Sequence, residues 1–255
     1  MKKKKILLIL AAAVLAAFLL YKPGYNLYRD ISFSWEARSA EAMEVKAFAE
    51  SRGISIGEYP WEIIGLYENN PETREFVLNY PFREKKEPDL VGFGRETVPL
   101  FLQWDPMWGY DDYGSSCIAV TGCGPTCLAM AGYYLTGESR FNPAEVAQFA
   151  EKNRYYEPGY GSSWTLISEG AGKLGLSAKE LPLVKKKMIT ALEEGCPVIL
   201  ALGEGDFTSS GHYIVLTGWT GEAFTVNDPN SRIRSEMLWT YEQLEGQIRN
   251  IWAIS

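Results

Sequence analysis

The sequence predicts an α+β domain, with helices packed on an antiparallel sheet, behind a helical N-terminal extension. In the C-terminal two thirds of the chain, helix signals come first and strand signals follow. The segments between the strand signals are short and polar, such as GEGD and TGE, which suits hairpins better than crossover helices. A chain of 255 residues, 46% of them hydrophobic, is long enough for one sizeable core with an appendage.

The first 22 residues combine a lysine cluster with an apolar run. Four lysines precede fifteen apolar residues, 6–20, and Tyr21 and Lys22 follow. This length lies between the core of a signal peptide and a full membrane span, and no small-x-small cleavage site follows it. We therefore expect residues 1–22 to be an uncleaved single-pass membrane anchor, with a secreted protein as the alternative. Either interpretation exports the body of the chain, because lysine clusters stay in the cytoplasm.

Residues 23–95 are predicted to form a helical extension and a linker. Residues 34–53 have a helix-forming composition and end at a glycine. Asn70 and Pro71 have the residue types of a helix cap and a first helical position. The polar residues 83–89 are typical of a linker, so we place the main domain at 96–255.

After the Cys123 segment, which is described below, three helices and then three strands are predicted inside that domain. Asn142, followed by a proline and by Glu145 three places on, has a capping-box pattern. The predicted helices occupy residues 142–153, 163–175 and 184–195. The predicted strands occupy residues 197–202, 212–219 and 223–228. The tryptophans at positions 104, 108 and 164 are expected to pack in the core, with the wall of a substrate groove as the alternative.

The charge balance argues against nucleic acid as a partner. After Lys22 the chain carries 20 basic and 32 acidic side chains, a balance of −12. Such a body repels phosphates, and no basic stripe with interleaved aromatic residues is present. The same acidic surface predicts electrostatic steering of basic substrates.

The four cysteines do not form a metal-binding pattern. Cys117, Cys123 and Cys127 have C-x5-C-x3-C spacing, which is unlike a zinc finger or ribbon, and the chain contains one histidine. We expect no metal and no cofactor. One disulfide among Cys117, Cys127 and Cys196 is possible, but the sequence does not select the pair.

Cys123, in TGCGPTCLAM, has the surroundings of a nucleophile. Glycines flank it, and Pro125 suits the first turn of a helix that continues through Met130. Cys123 would then lie at the N-terminus of this helix, where the dipole favours a thiolate and the Cys123 N–H is free to bind an oxyanion. Cys127, one turn further on, is expected to be a small core residue.

His212 is the only candidate for a histidine base, and Asp228 is its expected partner. His212 begins an apolar strand that turns at TGE and returns as AFTVNDP. A hairpin centred on Thr220 places residue 212 opposite residue 228, on the same face of the sheet. Asp228 could then hold one ring nitrogen and leave the other facing a nucleophile. The alternative for Asp228 is a turn residue before proline.

Four segments in order, QWDPMWGY, TGCGPTCLAM, SGHYIVLTGW and VNDP, resemble those of papain-like cysteine peptidases. The resemblance covers residues 98–255 and is to the bacteriocin-processing branch, family thirty-nine, and its exported stand-alone relatives. It implies a papain-like fold in which Gln103 is the oxyanion-hole side chain, Cys123 the nucleophile, His212 the base and Asp228 the residue that orients it.

We therefore expect a thiol hydrolase that cleaves peptide bonds of a peptide or protein substrate through an acyl-enzyme. An amine in place of water would make the same machinery an acyl transferase or transpeptidase. A second class of function is a catalytically silent peptide-binding or scaffold module of the same fold. A third hypothesis is a zymogen in which residues 23–95 cover the site.

Overall fold

The computed structural model describes residues 21–30, 32–33 and 39–255. It divides between Phe82 and Arg83 into two compact units, each described separately below. Within these described residues, no helix is both long and apolar enough to cross a membrane. The predicted anchor, residues 1–22, lies outside the described residues except for its last two positions.

The described elements of the N-terminal unit are helices, as predicted for the extension. They are α1 (residues 21–30), α2 (Ala40–Ser51), α3 (Trp61–Asn69) and α4 (Arg74–Leu78). Helix α2 ends just before Gly53, whose φ of 67° is left-handed. Asn70 acts as the predicted cap, since its side chain accepts a hydrogen bond of 3.0 Å from the Glu72 N–H. Helix α3 was not predicted.

The second unit, residues 83–255, begins with an irregular segment and continues into the mixed domain. The predicted linker, residues 83–89, has no regular secondary structure. Leu90 is buried in the core of this unit, and Phe93 packs edge-on against Phe101 with ring centroids 4.9 Å apart. The domain boundary near residue 95 stays a prediction.

The elements of the second unit follow in chain order. The first half contains β1 (Asp112–Tyr113), β2 (Ser116–Cys117), α5 (Ile118–Thr121), α6 (Cys123–Thr136), α7 (Pro143–Lys152), β3 (Tyr156–Glu157) and β4 (Gly161–Ser162). A π-helical turn (Leu166–Gly170) leads into α8 (Ala171–Lys173), β5 (Ala178–Glu180) and α9 (Lys185–Glu193). The remaining elements are β6 (Val198–Leu202), β7 (His212–Trp219), β8 (Phe224–Asn227), α10 (Arg232–Glu236), β9 (Leu238–Trp239), α11 (Tyr241–Leu244) and β10 (Ile248–Ile254).

Six strands form one antiparallel sheet in the order β5-β10-β6-β7-β8-β9. The α+β class with an antiparallel sheet is therefore confirmed. The three predicted strands are β6, β7 and β8, each within a residue or two of its predicted ends. The sequence reasoning missed the other three, including β10, which lies between β5 and β6.

Helices and loops cover both faces of the sheet centre. Along β6, alternate residues belong to different cores, because successive side chains point to opposite faces. Ile199 and Ala201 pack with α6 and α7 on one face. Val198, Leu200 and Leu202 pack with α9 and the Phe207 loop on the other. Burial on both faces explains why this strand is a continuous apolar run without polar alternation.

The predicted helices of this unit differ in regularity. Helix α7 has its expected cap, with the Glu145 N–H donating to Asn142 Oδ1 over 2.9 Å. Helix α9 ends before Gly195, whose φ of 80° is left-handed. The segment predicted as one helix over 163–175 is instead the π-helical turn followed by the three-residue α8.

Candidate active site

Cys123 begins α6, as the glycine-proline pattern predicts. The helix runs for 14 residues, and Pro125 lies in its first turn, where a missing N–H costs nothing. The Cys123 side chain is partly exposed and lines a cleft. The N–H groups of the first helical turn have no intrahelical acceptor, and the helix dipole favours negative charge beside them. This position suits both a thiolate and a developing oxyanion.

The glycines on either side of Cys123 are needed for close packing. A Cβ on Gly124 would lie 2.7 Å from the Ser162 Cβ, and one on Gly122 would lie 2.5 Å from the Ile118 carbonyl oxygen. Gly124 therefore allows the Ser162 segment to lie directly against the start of α6. Ser162 is fixed there, because its hydroxyl bonds the Tyr113 hydroxyl at 2.7 Å and its carbonyl accepts from the Tyr213 hydroxyl at 3.0 Å.

His212 and Asp228 form a buried hydrogen-bonded pair. His212 Nε2 lies 2.7 Å from Asp228 Oδ1, and the two residues are 8% and 0% exposed. His212 and Cys123 line the same cleft, and the Cys123 side chain is one of the groups that raise the pKa of the His212 ring. Because Nε2 is bound to Asp228, Nδ1 is the ring nitrogen that remains for the sulfur. The structure therefore brings together Cys123, His212 and Asp228.

The expected direct opposition of residues 212 and 228 is wrong, although the two side chains meet. Strands β7 and β8 pair Val215 with Asn227, with a register shift between Leu216 and Gly218. This register places residue 228 level with residue 214. An offset of two residues keeps the face of the sheet, since side chains alternate with a period of two. His212 and Asp228 are therefore diagonal neighbours.

Arg234 is a further partner of Asp228 that the sequence reasoning missed. Its Nε donates to Asp228 Oδ2 at 2.5 Å, while the Asn230 N–H donates to Oδ1 at 2.8 Å. Burial raises the pKa of the Asp228 carboxyl, but His212 and Arg234 overcome that effect and the pKa is lowered. No local pattern marks Arg234, because its contact depends on the turn that brings α10 back to the end of β8.

The charge of this cluster favours protonated His212. Burial opposes the charged ring, but the Asp228 carboxylate, and after it the Cys123 side chain, outweigh that effect. They raise the pKa of His212 from 6.5 to about 10. The protonated ring is consequently the favoured form of His212 at neutral pH.

Gln103 lies behind the site, and it is not among the residues that line the cleft. Its Nε2 donates to the Ala119 carbonyl at 2.6 Å, and its backbone N–H donates to the Pro229 carbonyl at 2.7 Å. Gln103 thus joins the turn before Cys123 to the loop after Asp228. The amide nitrogen has a second hydrogen, so the oxyanion-hole role implied by the resemblance stays a prediction.

The other three cysteines do not line the cleft, and none of the four is joined in a disulfide. Cys127 is completely buried in the core, as expected, and burial raises the pKa of its thiol well above the usual value. Cys117 is also buried. Cys196 is partly exposed, and burial together with Glu194 raises its pKa. The described residues contain no cluster of side chains that could hold a metal ion.

The cleft at Cys123 has a volume of about 570 Å³. One wall is formed by residues 157–165 and another by the ends of β6 and β7. Trp164, expected in the core, lines the cleft and is 49% exposed, whereas Trp108 is buried as expected. The sequence reasoning also missed two charged residues that line the cleft, Glu157 and Arg249.

The Peptidase_C39 like family model matches residues 95–255. The chain belongs to this family. The suspected resemblance is thereby confirmed, and membership supports a peptidase-type function with a peptide or protein substrate. A search of curated proteins finds no match.

Two solved structures are similar to the chain. The peptidase domain of Streptococcus ComA, a bifunctional ABC transporter of a quorum-sensing pathway, has a TM-score of 0.41 and 19% identity. That match covers 53% of this chain and 90% of the domain. A protein described as a C39-like peptidase from Bacillus anthracis has a TM-score of 0.38 and 16% identity, covering 62% and 94% of the two chains.

The pKa of His212 provides a direct test of its contact with Asp228. His212 is the only histidine, so one set of imidazole NMR signals reports it. We expect the wild-type ring to titrate near pH 10. In Asp228→Asn, the carboxylate that contributes most to raising the pKa is absent, and the pKa should fall. Glu222→Gln, which removes an exposed carboxylate from the β7–β8 turn, should leave the pKa unchanged.

The pH dependence of the free energy of unfolding tests the same contact by a second measurement. Because folding raises the pKa from 6.5 to about 10, the contribution of His212 to stability is complete below pH 6.5. It is lost as the pH rises towards 10. Urea unfolding at pH 6 and pH 9.5 should show this loss in the wild type and not in Asp228→Asn. An Asp228→Asn titration identical to the wild type would contradict the assignment.

Proposed function

We propose that the chain is a cysteine peptidase in which Cys123 is the nucleophile, His212 the proton carrier and Asp228 the residue that orients His212. The observation that carries the proposal is the 2.7 Å bond between His212 and the buried Asp228, in a cleft shared with Cys123. This bond occupies Nε2 of His212 and leaves Nδ1 as the ring nitrogen for the Cys123 sulfur. Family membership supports the same reaction class.

The first half of the reaction forms an acyl-enzyme. The proton of the Cys123 thiol lies on His212 Nδ1, and the thiolate attacks the peptide carbonyl carbon. A C–S bond forms while the π electron pair moves to oxygen. The Cys123 N–H stabilises that oxyanion, with the amide of Gln103 as the proposed second donor. The oxyanion then collapses, the C–N bond breaks, and His212 gives its proton to the leaving amine.

The second half of the reaction restores the enzyme. His212, now neutral, accepts a proton from water, and the hydroxide attacks the thioester carbonyl. The C–S bond breaks, the acid product leaves, and the proton on His212 completes the original pair with Cys123. An amine that takes the place of water would give transfer instead of hydrolysis, through the same residues.

Substitution of Cys123 or His212 should remove most of the peptide turnover. We expect Cys123→Ala to lower peptide turnover by more than about 10⁴-fold and His212→Ala to lower it by about 10²–10⁴-fold. Cys196→Ser is the matched control, because Cys196 is partly exposed but does not line the cleft. It should retain wild-type turnover.

Thiol labelling distinguishes this proposal from a catalytically silent peptide-binding module. Iodoacetamide should alkylate Cys123 at least about tenfold faster than Cys196, and His212→Ala should remove the difference. Preferred labelling of Cys196, unchanged by His212→Ala, would favour the binding module.

We also propose that this peptidase is tethered at the outer surface of the cell membrane through residues 1–22. The support is their composition, with four lysines ahead of fifteen apolar residues. The full chain should remain in the membrane pellet after carbonate extraction at pH 11, and added protease should digest it in intact cells. A chain that begins at Pro23 should not pellet. A full chain found only in the culture medium would instead support a secreted enzyme.

A further inference from the structure

The cleft beside Cys123 is lined by an arginine, Arg249, with unused hydrogen-bonding capacity. Its Nη1 donates to the carbonyl oxygens of Gly246 and Ile248, at 3.0 and 3.2 Å. Among the described residues, its Nε and Nη2 have no hydrogen-bond partner, and no carboxylate lies within ion-pair distance. Nη1 therefore anchors the guanidinium, while two donors and the positive charge remain for a ligand.

The backbone places Arg249 at the cleft by a local irregularity of the sheet. Strand β10 pairs Ile248 with Leu202 and Asn250 with Ala201, so Arg249 is an extra residue in a β-bulge. A bulge re-aims a side chain that regular pairing would direct elsewhere. Arg249 is exposed, whereas the strand residues that follow Asn250 are buried.

Gly203 provides the space that the guanidinium occupies. A Cβ at Gly203 would lie 2.5 Å from Arg249 Nε and 2.8 Å from Cζ. The arginine head therefore lies where any side chain at position 203 would begin. Alanine at this position would displace the flexible end of Arg249 without removing its charge.

The register of the sheet gives the distance from Arg249 to the reacting groups. Leu202 pairs with Ile248 on one side and with His212 on the other. Adjacent strands are about 4.8 Å apart, so the backbone next to Arg249 lies about 10 Å from that of His212. An extended peptide advances about 3.3 Å per residue, so this span corresponds to about three substrate residues.

We infer that Arg249 is a specificity-determining residue, which binds an acidic side chain of the substrate about three residues from the cleaved bond. This inference rests on the proposed peptidase function. A guanidinium with two free donors matches a carboxylate, which it can bind through two parallel hydrogen bonds. Because the body of the chain is acidic, attraction of such a residue has to be local. Glu157, an acidic residue that also lines the cleft, disfavours a carboxylate placed near its own wall.

The test uses pairs of peptides that differ only by Glu or Gln at one position, within four residues on either side of a bond that the enzyme cleaves. We expect kcat/KM to be about tenfold higher for the Glu peptide at one position about three residues from the bond. In Arg249→Gln, the Glu-to-Gln ratio should fall to about 1. Gly203→Ala should also reduce it, because it displaces the guanidinium.

Lys186→Gln is the matched control for net charge. Lys186 is exposed on α9 and does not line the cleft, so this variant should keep both the wild-type rate and the wild-type ratio. Raising the salt from 0.05 to 0.5 M should lower the wild-type ratio, because screening weakens an exposed ion pair. Equal cleavage of Glu and Gln peptides by the wild type, or a ratio that survives Arg249→Gln, would overturn the inference while the peptidase function stands.

Binding to the Cys123→Ala variant separates the two proposals. Calorimetry with the same peptides should show a Glu preference that Arg249→Gln removes from the Cys123→Ala protein. If this preference appears but the wild type cleaves no peptide, the proposed function fails and the recognition of an acidic residue remains. If the wild type cleaves peptides but Cys123→Ala shows no Glu preference, only the inference fails.

Discussion

The burial of the Asp228 carboxylate is the constraint on which the geometry of the site depends. A carboxylate that is 0% exposed is costly unless charged or polar partners compensate for the lost water. Here the partners are the His212 ring, the Arg234 guanidinium and the Asn230 N–H. They come from the start of β7, from α10 and from the loop between β8 and α10. One buried charge therefore holds three parts of the chain in register, and the orientation of His212 follows.

A second set of contacts brings Cys123 to that cluster. Gly124 allows the Ser162 segment to lie against the start of α6, and Tyr213, the residue after His212, bonds the Ser162 carbonyl. Gln103 links the turn before Cys123 to Pro229, next to Asp228. The helix with the sulfur and the strands with the imidazole and carboxylate are thus joined by bonds that need no substrate. Such a preformed arrangement suits proton transfer over a short distance.

The sequence was sufficient where the signal is local. Glycines and a proline around Cys123 predict the start of α6, and the apolar runs predict β6, β7 and β8, because both depend on neighbouring residues. The meeting of His212 and Asp228 was predicted from a wrong register. The error was two residues, because the turn is centred further along the chain than Thr220 and the hairpin contains a bulge. Because side chains alternate with a period of two, an error of two residues leaves both side chains on the same face of the sheet, and the two residues still approach each other.

Features that depend on turn geometry or on distant strands could not be predicted in this way. Arg234 reaches Asp228 only through the turn into α10, and Arg249 reaches the cleft only because β10 lies beside β6 and bulges there. Trp164 was expected in the core because large aromatic residues are usually buried, but the π-helical turn that follows it leaves it at the cleft. The position of Arg249 depends on strands distant in sequence, and the positions of Arg234 and Trp164 depend on the geometry of nearby turns. Neither composition nor periodicity encodes these features.

The central claim is that the Cys123 sulfur becomes acylated by the substrate, and mass spectrometry of the quenched enzyme tests it most directly. Wild-type enzyme is mixed with an intact peptide that it cleaves, and the reaction is quenched in acid within milliseconds. The protein is then digested at low pH to preserve thioesters. The account predicts a thioester to the N-terminal fragment of the substrate on the peptide that contains Cys123, and none in Cys123→Ala. Rapid cleavage by a Cys123→Ala enzyme, or an acyl group on Cys196 instead, would contradict it.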